Sequence, residues 1–225
     1  MATTFKSKSA SQTRIFLVED HAMVREGLAT AIKREPDLTV CGEADEAGKA
    51  AQLIQAAKPD LAIVDLGLKN SNGLDLIKNL HIQNPNLPIL VVSMYEESIY
   101  GERAMRAGAK GFITKQEAIQ DVLKAVRHIL AGEIYLSEKL KTQIARKIVG
   151  HGIGEPRPTD KLSDRELQIL TFIGEGRSAR QMAESLHLDI STVETYRSRI
   201  KEKLGFNDTN ELLQYAIRWR QGQGS

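Results

Sequence analysis

The chain reads as two domains of different class: an α/β domain built on a doubly wound, five-stranded parallel sheet, followed by an all-α domain of four short helices that contains a helix-turn-helix. Three observations predict this. Short β-rich apolar runs alternate with segments of helical period from Arg14 to about Ile134. Glycines and prolines then collect in GHGIGEPRPTDK. From Leu162 onward the signal is purely helical. A length of 225 residues suits two ordinary domains.

The strands come in order as IFLV (15–18), LTVCG (38–42), LAIV (61–64), PILVVS (88–93) and GFIT (111–114). Between them, segments near 22–35, 46–57, 73–83, 97–107 and 117–131 place apolar residues three and four apart, as in Val24, Leu28, Ala31 and Ile32. Such a βα repeat makes a parallel sheet wrapped by helices, with ligands outside the carboxyl ends of the strands. SEKLKTQIARKI then predicts one more helix inside a 135–160 linker. In the last domain, helix starts are expected at four capping boxes or close variants: Ser163-x-x-Glu166, Ser178-x-x-Gln181, Ser191-x-x-Glu194 and Asp208-x-x-Glu211.

Composition narrows the function classes. No apolar run approaches the roughly 20 residues that span a bilayer, and Met1 to Ser11 has no apolar signal region, so the expectation is a cytoplasmic protein without a membrane partner. The single cysteine, Cys41, excludes an intrachain disulfide framework and reads as a small core residue. Net charge is only +2, but its distribution is uneven: residues 14–136 carry 14 basic and 17 acidic side chains, whereas 161–225 carry 10 and 9.

The chemistry concentrates at the strand ends. Glu19 and Asp20 follow the first strand, Asp65 the third, Ser93 ends the fourth and Lys115 follows the fifth. If the first and third strands are neighbours, three carboxylates converge on one rim. Like charges at that range repel unless a cation intervenes, and hard oxygen ligands suit Mg²⁺. Acids, a hydroxyl and a lysine together suit phosphoryl transfer, with Asp65 as nucleophile and Ser93 and Lys115 binding the phosphoryl oxygens. One acid at a strand end is ordinarily a helix cap or a rim charge; the ordered set of them is not. His21 reads as a first-turn helix residue.

These residues carry a resemblance. LVEDH, VDLGL, VVSM and GFITK make residues 14–134 resemble the flavodoxin-like receiver domain of bacterial two-component response regulators. The resemblance implies that Asp65 accepts a phosphoryl group from a sensor histidine kinase, and that Asp20, Asp65 and the backbone carbonyl of Gly67 bind Mg²⁺ with Glu19 acting through water. Ser93 and Phe112 match the switch hydroxyl and switch aromatic, expected to move inward on phosphorylation. Lys69 and Gln116 stand where receivers often have proline, which leaves the ligands intact and bears on loop geometry. Gly67 and Tyr95 flank the path of a hydrolytic water.

In the helical domain, Val193, Tyr196, Ile200 and Leu204 fall on one stripe at about 100° per residue. Ser191, Glu194, Thr195, Ser198 and Glu202 lie opposite, flanked by Arg197 and Lys201 on one side and Arg199 and Lys203 on the other. A polar ridge with basic flanks fits base reading by the ridge and phosphate neutralisation by the flanks. LSDRE, GEGRSARQMAESL and STVETYRSRIKEKLG make residues 161–221 resemble the LuxR-type DNA-binding domain, and the whole chain the NarL/FixJ regulators. That implies contacts to double-stranded DNA from Ser191, Thr192, Glu194, Thr195, Arg197, Ser198, Arg199, Lys201 and Lys203. It also implies homodimerisation of the active form, through the last helix with its Leu212, Tyr215, Ala216 and Trp219. Many relatives have lysine where this chain has Glu194, a residue expected either to complete a cap with Ser191 or to accept from a cytosine amino group.

The resulting expectation is a phosphorylation-controlled transcriptional regulator, not an enzyme. Two rivals stand beside it: a DNA-binding regulator that answers to a protein or small ligand without phosphorylation, and a metal-dependent phosphatase using Asp65.

Overall fold

The computed structural model describes residues 12–68, 71–148 and 158–222. The N-terminal tail, Lys69 and the glycine- and proline-rich part of the linker lie outside the described residues. The chain divides into two compact units, at Ser137 and Glu138.

In the first unit five parallel strands, β1 (Thr13–Val18), β2 (Leu38–Ala44), β3 (Leu61–Val64), β4 (Ile89–Ser93) and β5 (Gly111–Thr114), lie in the order β2-β1-β3-β4-β5. Each connects to the next through a helix: α1 (Ala22–Lys33), α2 (Ala47–Ala57), α3 (Gly73–Gln83) and α4 (Glu97–Ala107), with α5 (Ile119–Leu130) closing the unit. The central strands are apolar throughout because helices cover both faces. Alternation along each strand divides the core: Ile15, Leu17, Ile63, Leu90, Val92 and Ile113 pack with Leu28 and Ile32 of α1 and Val126 and Ile129 of α5. Phe16, Val18, Ala62, Val64, Ile89, Val91 and Phe112, also buried, have the opposite parity. Because β1 pairs with both β2 and β3, the order reverses there, and a crevice opens at the carboxyl ends of β1 and β3.

The helix expected in SEKLKTQIARKI forms as α6 (Glu138–Ile148). In the second unit α7 (Asp164–Gly174), α8 (Ala179–Leu186), α9 (Ile190–Leu204) and α10 (Thr209–Arg220) surround a core of Leu167, Ile169, Leu170, Ile173, Met182, Leu186, Val193, Ile200, Leu212 and Ala216. Complete capping boxes start α7 and α8, as expected. At α10 Asp208 caps Asn210 and Glu211, while the Glu211 carboxylate reaches back to the Asn207 N–H.

The expected box at Ser191 is not made. Helix α9 begins two residues earlier than a Ser191 cap implies, at Ile190, with Asp189 in the extended N-cap conformation and its carbonyl accepting from Thr192 and Val193. Ser191 is therefore inside the first turn, and Glu194 instead pairs with Arg197 at 2.8 Å. Leu212 and Ala216 also need correction as partner-facing residues: both are fully buried in their own unit, where Ala216 abuts α7 at Gly174. Tyr215 and Trp219 are half-buried.

Candidate functional site

The crevice holds the acids that the sequence places at the strand ends. Glu19, Asp65 and Ser93 are buried at 2%, 3% and 0% exposure, so each polar group needs a partner from the protein or a ligand. Both oxygens of Asp65 are held. The Ser93 hydroxyl donates to Oδ1 at 2.7 Å, and the Lys115 ammonium donates to Oδ2 at 2.7 Å. Lys115 also binds Glu19 Oε2 at 2.6 Å, which ties β1, β3 and β5 together around one cation.

Burial pushes the Glu19 carboxyl above the usual carboxylate range, and the Asp65 charge adds to it while Lys115 opposes it. Burial works to lower the Lys115 ammonium, but Asp65 and Glu19 outweigh it and hold it above the usual lysine value. The site is thus an acidic pocket with one resident cation and more negative charge than that cation offsets.

Asp20 shows what the remaining charge fits. Its Oδ1 is buried without a hydrogen bond; the His21 Nδ1 is 2.7 Å away but misaligned for one. Glu19, Asp20, His21 and Asp65 each bring a ligand atom within 4.8 Å of the others. An orphaned carboxylate oxygen beside two more acids fits a hard divalent cation. His21 occupies the N-cap position of α1 rather than its first turn, and its exposed ring reaches back to Glu19 and Asp20.

Two positioning residues escape the sequence reading. Arg25 on α1 donates from Nη1 to the Glu19 backbone carbonyl at 2.7 Å and pairs through Nε with Glu43 at 3.3 Å, clamping the acid loop from behind. Gly73 opens α3 directly against β3: a Cβ there would meet the Asp65 carbonyl oxygen at 2.2 Å. Any side chain at 73 would push Asp65 off its place, and the signal for it was the Asn72-Gly73 pair, with Asn72 capping α3 through the Leu74 N–H at 2.9 Å. Arg25 has no comparable local signal. Ser93 and Phe112, which the resemblance expects to move inward, both lie inward in this structure: Ser93 on Asp65, and Phe112 at 2% exposure. Gly67 lies beside the Asp65 carboxylate.

On α9, Val193 and Ile200 alone are fully buried; Tyr196 and Leu204 are half-buried. Ser191, Glu194, Thr195, Ser198 and Arg199 are exposed, and Thr192, Arg197 and Lys201 half-buried. The Thr195 hydroxyl donates to the Ser191 carbonyl at 2.9 Å. Lys203 departs from its expected place among the phosphate contacts: its ammonium binds the buried Glu166 carboxylate at 2.7 Å. Burial raises the Glu166 carboxyl, but Lys203 and Ser163 outweigh it and bring it below the usual range. Lys203 therefore secures α9 to the N-terminus of α7. No helix among the described residues is long and apolar enough to cross a membrane.

Known proteins share this arrangement. Residues 15–127 match the family described as response regulator receiver domain, and residues 160–216 that described as bacterial regulatory proteins, luxR family. The oxygen regulatory protein NreC of Staphylococcus haemolyticus is 33% identical over 210 residues, spanning 91% of this chain and 97% of that protein. Response regulator GacA of Pseudomonas aeruginosa is 32% identical over 209 residues, spanning 91% and 95%. The crystal structure of a LuxR-family two-component response regulator from Aurantimonas sp. SI85-9A1 aligns with a TM-score of 0.57 at 34% identity, covering 62% of this chain and 99% of that one. RcsB of Salmonella enterica serovar Typhimurium, bound to promoter rprA in the presence of the phosphomimetic BeF3−, shares the fold with a TM-score of 0.59 at 23% identity over 92% and 99%. With both domains matched in order and relatives aligned along nearly their whole length, the chain belongs to the LuxR-type two-component response regulators, which are transcription regulators and not enzymes.

Proposed function

We propose that a sensor histidine kinase phosphorylates Asp65 and that the phosphoryl group controls sequence-specific DNA binding, and through it transcription, in the cytoplasm. One observation carries this reading: Asp65 is a buried carboxylate whose two oxygens are held by a hydroxyl and an ammonium beside two further acids. A carboxylate oxygen attacks the phosphorus of a phosphohistidine, the P–N bond breaks, and the imidazole leaves. Lys115 and Ser93 pass from the carboxylate to the phosphoryl oxygens, which carry more charge than the acid they replace. Asp20, Asp65 and the Gly67 carbonyl would hold Mg²⁺, with Glu19 acting through water. When bound, that ion draws charge from the phosphoryl oxygens.

Transfer of the Ser93 bond frees the end of β4, and the face made by α4 and β5 repacks around Phe112. The proposed domains are a receiver over 14–134, a linker over 135–160 and a DNA-binding domain over 161–221. In the last, Ser191, Thr192, Glu194, Thr195 and Ser198 face base edges of double-stranded DNA, while Arg197, Arg199 and Lys201 neutralise phosphates. Glu194 fits a cytosine amino group better than a phosphate, since a carboxylate repels the latter. Homodimers of the phosphorylated form use the Tyr215 and Trp219 side of α10. Incubation with acetyl phosphate and Mg²⁺ is expected to add one phosphoryl group to the wild type and none to Asp65→Ala, read by intact mass; equal labelling of both would overturn the assignment.

A further inference from the structure

We propose that His21 is a nitrogen ligand at the rim of the acid pocket, and that the pocket therefore takes a divalent first-row transition ion, such as Mn²⁺ or Zn²⁺, in preference to Mg²⁺. The inference rests on the acid pocket being the metal site proposed above. Its carboxylates are not equally committed. Asp65 accepts from Ser93 at Oδ1 and from Lys115 at Oδ2, while Glu19 accepts from the His21 backbone N–H at Oε1, 3.0 Å away, and binds Lys115 through Oε2. Asp20 differs: its side chain is only 4% exposed, and its Oδ1 accepts no hydrogen bond. The His21 Nδ1 lies 2.7 Å from that oxygen.

A nitrogen and a buried oxygen this close, without a hydrogen bond between them, suit two ligands of one ion. With bonds of about 2 Å, neighbouring ligand atoms in an octahedron stand about 3 Å apart and opposite ones about 4 Å. Glu19, Asp20, His21 and Asp65 each bring a ligand atom within 4.8 Å of the others, which meets that requirement. The backbone puts the ring in place. His21 is the N-cap of α1, extended at φ −81° and ψ 107°, yet its side chain makes no capping bond. The ring folds back over the acids instead and stands at the exposed edge of the pocket, 64% exposed. Its carbonyl accepts the Arg25 N–H at 3.0 Å, and the Arg25 guanidinium holds the Glu19 carbonyl at 2.7 Å, so α1 fixes both ends of the loop.

The ligand type decides which ion gains. Mg²⁺ favours oxygen ligands and gives up water reluctantly, so an imidazole adds little to its binding. Transition ions accept imidazole nitrogen, with affinity rising along the first row from Mn²⁺ to Cu²⁺. As a ligand, His21 presents the Nδ1 lone pair to the ion and carries its proton on Nε2. The 3.2 Å contact of Nδ1 with Glu19 Oε1 then changes from donor and acceptor to two atoms facing one cation. Three carboxylates supply the charge for any divalent ion, and the one nitrogen supplies the preference.

The test titrates the full chain with Mn²⁺, followed by electron paramagnetic resonance, and measures Mg²⁺ and Zn²⁺ by competition, for wild type, His21→Ala and Asp20→Asn at one pH. Pulsed resonance of the bound Mn²⁺ reads the ligands directly. The wild type is expected to show ¹⁴N modulation from a coordinated imidazole. His21→Ala loses that modulation and about tenfold in Mn²⁺ and Zn²⁺ affinity, but less than about twofold in Mg²⁺ affinity. Asp20→Asn weakens all three ions, which places them in the acid pocket. A wild type without ¹⁴N modulation, or a His21→Ala protein with wild-type Mn²⁺ and Zn²⁺ affinity, overturns the ligand role. Equal losses for all three ions in His21→Ala also overturn it, since a residue that only shapes the loop would produce them. A wild type that binds no ion sensitive to Asp20→Asn overturns instead the metal site beneath the inference, so the two failures are told apart.

Discussion

The acid pocket and helix α9 of the helix-turn-helix domain both present rows of polar side chains, yet under opposite constraints. Glu19, Asp65 and Ser93 are buried, and the bonds among them and Lys115 decide where each atom sits before any ligand arrives. The ridge of Ser191, Glu194, Thr195 and Ser198 is exposed, supported from behind by Val193 and Ile200. Buried polar groups must find partners within the fold, so their chemistry is built in by folding. Exposed ones acquire a role only from what docks on them. The pocket is preorganised by the fold, and the helix is a surface whose meaning lies in its partner.

The contrast can be broken most forcefully from behind the helix. Ile200→Ala is expected to destabilise the second unit by about 2–4 kcal/mol, because a fully buried side chain leaves a cavity. Urea unfolding followed by far-ultraviolet circular dichroism checks this, and a loss below about 1 kcal/mol would mean that Ile200 does not support the ridge. Next in size is the pair that joins α9 to α7. Lys203→Met leaves the buried Glu166 carboxylate without its counter-charge, held by the Ser163 N–H, at a cost of about 1–2 kcal/mol, moderated because Lys203 is 41% exposed. The same substitution leaves the salt dependence of DNA binding unchanged, which separates a fold-internal lysine from a phosphate contact. Lys201→Ala, by contrast, is expected to leave stability within about 0.5 kcal/mol while lowering the slope of log affinity against log salt by about 1, equally on all sequences.

The smallest effect tests the strain in the pocket. Burial and Asp65 raise the Glu19 pKa, so the folded protein holds that proton more tightly than the unfolded chain does. Ionised Glu19 therefore costs stability at neutral pH, and the cost disappears as pH falls through the raised value toward the ordinary 4.5. Glu19→Gln should melt above the wild type at pH 7, with the difference shrinking on acidification. A difference that grows as pH falls would contradict the strained pocket.

How far each region can be read from sequence follows the same division. The strands and their terminal acids are legible because short continuous apolar, β-branched runs and polar or charged ends are local signals, and the parallel order then brings distant residues to one rim. The N-cap of α9 lies two residues before the expected Ser191, because Ser191-x-x-Glu194 matches a capping box, whereas the backbone turn after His187, in the left-handed region, sets the N-cap at Asp189. Lys203 looked like a phosphate contact because its partner, Glu166, is 37 residues away and leaves no local trace. Leu212 and Ala216 share a stripe with Tyr215 and Trp219, and helical period alone does not say which part of a stripe faces the domain's own core.

The central claim is that Asp65 controls the DNA-binding surface. It is tested most directly by measuring DNA binding of wild type and Asp65→Ala, each with and without acetyl phosphate and Mg²⁺, at one salt concentration. The account predicts tighter binding only for the wild type treated with the phosphoryl donor and Mg²⁺. Equal binding in all four conditions would contradict it.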